Sequence, residues 1–91
     1  METNEAIYTQ AENSMINEEY ELLMLNCSQC SEQDKEEIKR AFILAKDAHA
    51  GQNRKTGEPY VMHPLAVTRI VSEEMRLDRQ AIVAALLHDV V

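Results

Sequence analysis

Apolar side chains recur at three- and four-residue spacing through most of this chain, the period of an amphipathic helix and not the alternation of a strand. Ile16, Tyr20, Leu23, Met24 and Cys27 fall on one side of a helical projection, which predicts a first helix starting at Ala11 or Ser14 and running to about Asn26. The residues ahead of it are polar, so residues 1–13 read as a lead-in and residues 14–91 as the folded part. A second start signal stands at Ser31-Glu32-Gln33-Asp34: Ser31 can cap, and Glu32, Asp34, Glu36 and Glu37 complement the helix dipole in the first turns. Ile38, Ala41, Phe42, Ala45 and Ala48 then form one apolar stripe to about Ala50, with Lys39 and Lys46 left for the other face.

Gly51 is the natural stop, and the segment GQNRKTGEPYVMHP that begins there holds both glycines and both prolines of the chain. Pro64 suits the first position of a third helix, which puts His63 at the N-cap. Leu65, Val67, Ile70, Val71 and Met75 carry that helix's apolar face to about Arg76. Asp78 can cap a last helix from Arg79 to Val91, which is apolar nearly all round and is therefore expected to be buried on several sides.

Composition agrees with an all-α fold of about four helices: 45% hydrophobic residues, no Trp, two Gly and two Pro in 91 residues, which make at most one domain. The net charge of -7 is uneven, since residues 1–34 carry eight acidic side chains and no Lys or Arg, whereas residues 35–91 carry eight acidic and nine basic ones. An acidic leader and a near-neutral body without a basic stripe argue against nucleic acid as a partner. No apolar stretch approaches the ~20 residues a bilayer requires, and the N-terminus lacks a secretory pattern, so a cytoplasmic protein without membrane contact is expected. Cys27 and Cys30 form a C-S-Q-C spacing with no second cysteine pair, and are expected to be ordinary reduced cysteines near a helix end.

The candidate chemistry lies in three places. His88 and Asp89 interrupt the apolar last helix, and a buried carboxylate without a partner costs several kcal/mol. Either the two form a structural hydrogen-bonding couple, or a divalent metal compensates both, since adjacent helical positions point about 100° apart and can bracket an ion. His63 either caps its own helix or turns toward the last one, and His49 is expected to pack at the end of the second helix. The loop pair Arg54-Lys55 is either solvated or contacts an anionic or planar ligand, with Glu58 and Tyr60 ordering the loop.

Taken together, R-K-T-G-E-P-Y at 54–60, H-P-L-A-V at 63–67 and A-A-L-L-H-D-V-V at 84–91 resemble the N-terminal HD hydrolase domain of the Rel/Spo family of guanosine tetra- and pentaphosphate synthetase/hydrolases. The resemblance covers residues 41–91 and implies an all-helical HD-like fold with one manganese ion. It implies removal of the 3′-pyrophosphate from the nucleotide, with His63, His88 and Asp89 as metal ligands and Arg54 and Lys55 on the guanine end. Thr56 and Tyr60 would shape that pocket. It also implies a Glu-Asp pair directly after H-D-V-V and a later aspartate ligand, and this sequence contains neither, so an inactive piece of a hydrolase, whose parent also synthesises the nucleotide, is expected. Two other readings stand beside it: a non-catalytic module that senses the nucleotide, and a fragment that self-associates through the apolar face of residues 81–91.

Overall fold

The computed structural model describes residues 8–27 and 30–90 and contains four helices: α1 (Gln10–Leu25), α2 (Glu32–Ala48), α3 (Met62–Glu74) and α4 (Arg79–Leu87). Among the described residues the only β pairing is the isolated bridge Asn53–Pro59, so the fold is all-α as expected. No helix among the described residues is long and apolar enough to cross a membrane.

Helix α1 begins at Gln10, ahead of the expected start, because Thr9 and Glu12 form a capping box: each side chain accepts the other's backbone N–H at 3.0 Å. Tyr8 is buried just before the cap and donates its hydroxyl to the Lys46 carbonyl at 2.8 Å. The stretch from Tyr8 to Asn13 is thus capped and packed, and the rest of the expected lead-in lies outside the described residues. Ser31 and Asp34 make the same box at the start of α2. Helix α2 buries Ile38, Ala41, Phe42 and Ala45 but leaves Ala48 exposed, and it closes with His49 at the C-cap before Gly51 turns the chain at φ 83°.

Between α1 and α2 the expectation of reduced cysteines is corrected, since Cys27 and Cys30 are joined as a disulfide. The turn that carries the Cys30 N–H to the Cys27 carbonyl at 3.0 Å brings the two α-carbons to 5.3 Å, within the span such a bond needs.

Helix α3 departs from the expected pattern twice. It starts at Met62, one residue before His63, because the turn bonds Met62 N–H to Pro59 O and His63 N–H to Tyr60 O lead straight into it. The N-cap is therefore Val61, not His63, and Pro64 is tolerated because the first N–H groups of a helix have no partner within it. Its buried side is Leu65, Thr68 and Ser72, while Val67, Ile70, Val71 and Met75 are exposed. Burying the hydroxyls is cheap because Thr68 donates to Pro64 O at 2.6 Å and Ser72 to Arg69 O at 2.7 Å, within their own helix.

The layers are fixed by α2 packing on α4, α1 on α3, and α3 on α4. Arg69 of α3 binds both Glu19 of α1 and Glu73, and Asn26 donates to Ser72 Oγ at 2.9 Å. Arg79 at the start of α4 reaches Asp34 at 3.3 Å and Glu37 at 2.7 Å on α2. Helix α4 is shorter and less enclosed than expected: it ends at Leu87, buries Ile82 and Leu86, and leaves Val83, Ala84 and Leu87 lining an open apolar groove with Leu44 of α2.

Candidate functional site

The end of α2, the 51–61 loop, the start of α3 and the end of α4 meet at one pole of the bundle. The loop is a tight hairpin: Tyr60 N–H bonds to Gln52 O at 2.9 Å, Arg54 N–H to Glu58 O at 2.9 Å, and Gly57 N–H to Arg54 O at 2.7 Å. Gly57 sits at φ 97°, a conformation L side chains rarely adopt, and its carbonyl accepts from Asn53 Nδ2 at 2.7 Å. Arg54, Lys55 and Thr56 are consequently exposed on the hairpin, and Arg54 Nη1 lies 3.7 Å from Glu58 Oε1, a loose surface pair that leaves the guanidinium available. Glu58 and Tyr60 enter these loop bonds through their backbone, and the Glu58 side chain makes only the loose pair with Arg54.

His88 and Asp89 stand just past α4, not inside it, with side chains 55% and 35% exposed, so the expectation of a buried pair is corrected. The reason is the short helix: it stops at Leu87, and Val90 N–H turns back to the Leu87 carbonyl. His88 Nδ1 lies 2.8 Å from the Ala85 carbonyl, which can only accept, so Nδ1 carries the proton and Nε2 faces Asp89 Oδ1 at 3.4 Å. The other oxygen, Asp89 Oδ2, accepts the Tyr60 hydroxyl at 2.8 Å. That hydrogen bond, with a smaller contribution from burial, pushes the Tyr60 phenol above its usual range.

Two of the expected donors, His88 and Asp89, stand at a spacing compatible with one divalent cation. An imidazole anchored through Nδ1 to a backbone carbonyl presents Nε2 in the manner of metal-bound histidines. Two donors each roughly 2.1 Å from an ion stand about 3–3.5 Å apart, the separation of His88 Nε2 and Asp89 Oδ1. His63 lies near this pair's partner, its ring centroid 6.2 Å from that of Tyr60 in an edge-on arrangement. The structure brings His88, Asp89 and Tyr60 into direct contact, but no group of three His, Cys, Asp or Glu side chains at metal-holding distance occurs among the described residues.

Beside Asp89 opens a cavity of about 440 Å³ lined by Ala48, His49, Gln52, Tyr60, Asp89 and Val90. His49 was expected only to pack at a helix end. It is indeed 5% exposed, but its Nδ1 lies 3.0 Å from Gln52 Oε1 and its ring rests on Tyr60 at 4.6 Å between centroids. The only trace of this in the sequence is the three-residue spacing of His49 and Gln52 across Gly51.

Residues 41–91 match the family profile described as HD domain. The chain is 54% identical over 56 residues to a guanosine-3′,5′-bis(diphosphate) 3′-pyrophosphohydrolase of Vibrio cholerae, covering 62% of this chain and 8% of that protein. It is 52% identical over 54 residues to the bifunctional (p)ppGpp synthase/hydrolase SpoT of Escherichia coli, with 59% and 8% covered. A guanosine-3′,5′-bis(diphosphate) 3′-pyrophosphohydrolase of Aquifex aeolicus is 53% identical over 57 residues, 63% of this chain and 8% of its own length. The chain thus spans about 8% of the length of these curated relatives.

Proposed function

Because this chain belongs to the HD-domain family, we propose that it forms part of a metal-dependent hydrolase site for guanosine tetra- and pentaphosphate, with Mn2+ as the ion. The observation that carries this reading is the divided use of Asp89: Oδ2 is held by Tyr60, while Oδ1 and His88 Nε2 are left side by side. His63, His88 and Asp89 would hold the ion, which when bound would supply charge neutralisation and a water of lowered pKa. Arg54 and Lys55 would bind the nucleotide, the guanidinium by stacking or by paired hydrogen bonds to phosphate and the ammonium as a point charge. Thr56, beside them on the hairpin, and Tyr60 would shape the pocket. The name of the Escherichia coli relative joins synthase to hydrolase, and a longer protein carrying these residues is proposed to do both.

By itself the chain is proposed to bind without turnover. Asp89 is the one carboxylate lining the cavity among the described residues, and this reading assigns it to the ion, so no second carboxylate is left there to serve as a base.

Calorimetric titration tests the binding reading. D89N should weaken Mn2+ binding at least tenfold, and R54A/K55A should weaken guanosine tetraphosphate about 10–100-fold, the worth of charged hydrogen bonds, with Mn2+ affinity unchanged. Indifference of both ligands to these substitutions would overturn it. Mn2+-dependent pyrophosphate release by the 91-residue chain would overturn the expectation of no turnover.

A further inference from the structure

We propose that His49 is a positioning residue for Asp89, acting through the ring and hydroxyl of Tyr60. The inference rests on the metal reading of Asp89 given above, but its geometry stands without a metal.

The contacts form a closed circuit. His49 occupies the C-cap of α2, its backbone N–H bonded to Ala45 O, so the base of the side chain is fixed by the helix end. Its Nδ1 donates to Gln52 Oε1, because an amide oxygen only accepts, and that fixes the rotation of the ring. Gln52 also accepts the Tyr60 N–H through its backbone carbonyl, so one residue holds the His49 ring and the Tyr60 main chain. Tyr60 rests on His49 at 4.6 Å between centroids with a 43° tilt, and its hydroxyl reaches Asp89 Oδ2, 29 residues along the chain. With the ring supported from behind and the main chain tied, the hydroxyl has one place to stand. Asp89 is thereby turned so that Oδ1 is presented beside His88.

A purely space-filling role accounts poorly for the residue type. His49 Nε2 is buried with no hydrogen-bond partner, a cost that an apolar ring of similar size would not incur. What such a ring could not supply is the Nδ1–H that locks the orientation against Gln52.

The test uses the full chain, with Mn2+ affinity from calorimetry and, in the metal-free protein, nuclear Overhauser contacts between the Tyr60 ring and the Asp89 β-protons. H49A should lose those contacts and weaken Mn2+ about tenfold, the usual effect of a residue that orients a ligand. Q52A, at an exposed position, should reproduce a part of both losses with a smaller loss of thermal stability than H49A, that of one unpaired donor. In a Y60F background H49A should change Mn2+ affinity no further, whereas a general packing defect would add its full effect again. Retained Tyr60–Asp89 contacts in H49A and Q52A, or an H49A loss of equal size in both backgrounds, would overturn the proposal. If the unsubstituted chain binds no Mn2+, the metal reading fails, and the Overhauser contacts still decide whether His49 holds Tyr60 on Asp89. Should H49A not fold, Q52A and Y60F carry both measurements.

Discussion

A single hydroxyl ties the front of α1 to the end of α2, and its ionisation sets a limit on the alkaline range of the fold. Tyr8 is 5% exposed and donates to Lys46 O, and burial, followed by the charges of Asp47 and Glu12, pushes its phenol from 10.0 up to about 12. Because the folded value lies above the ordinary one, the stabilisation is complete below about pH 10 and is lost as pH rises toward 12. Tyr20 and Tyr60 are raised in the same sense, by burial and by the bond to Asp89 respectively, so Y8F should shrink this alkaline loss without abolishing it. Urea unfolding at a series of pH values checks this, with Y8F expected to cost about 1 kcal/mol at neutral pH. An unchanged alkaline profile would show that Tyr8 is not the group responsible. At Gly57 the argument concerns the backbone alone: a Cβ there meets nothing within 4 Å, yet φ is +97°. G57A should therefore destabilise by about 1–2 kcal/mol and G57N by less, since Asn tolerates positive φ better. Equal midpoints for the two variants in thermal unfolding would contradict that order.

At the scale of elements, capping decides where the first two helices begin. Thr9 with Glu12 and Ser31 with Asp34 make equivalent boxes, so T9A and S31A should each cost about 1 kcal/mol in urea unfolding. Asp34 also receives Arg79 from α4, whereas Glu12 has no such second duty among the described ion pairs, so D34A should cost more than E12A. A smaller effect of D34A would mean that the α2–α4 ion pair contributes nothing. All four helices could be read from apolar spacing, and the starts of α2 and α4 also from their cap residues Ser31 and Asp78, because both signals are local, whereas α3 has no side-chain cap. The T-x-x-E box before α1 is an equally local signal, and it starts the helix ahead of the apolar stripe that begins at Ile16. The buried side of α3 was not readable in the same way, since Thr68 and Ser72 hide their hydroxyls against their own helix while Val67 and Ile70 face outward. Hydropathy alone ranks those four residues the wrong way round.

At the scale of the whole molecule, the site depends on how firmly α4 is seated. The residue types of the site were legible from the sequence motifs, but their meeting was not: Tyr60 and Asp89 are joined across 29 residues by tertiary packing that no local pattern encodes. For the same reason His88 and Asp89 are exposed where burial is expected: an apolar run predicts burial of whatever it contains, and α4 ends before reaching them. Helix α4 has only nine residues, too few to persist alone, and its anchors are Ile82 and Leu86 with Arg79 at its start. L86A should cost about 2–5 kcal/mol, a large fraction of the roughly 5–14 kcal/mol expected for a chain of this size. Since α4 touches α2 and α3 but forms no principal contact with α1, part of that cost should appear as local opening ahead of global unfolding. Amide hydrogen exchange in L86A should therefore accelerate at least tenfold in residues 79–90, with α1 protected until the whole domain opens. The Tyr60–Asp89 contact should weaken in parallel, because Asp89 is carried at the end of α4. Uniform acceleration across all four helices would show instead that the chain opens as one cooperative unit and that the site is exactly as stable as its core.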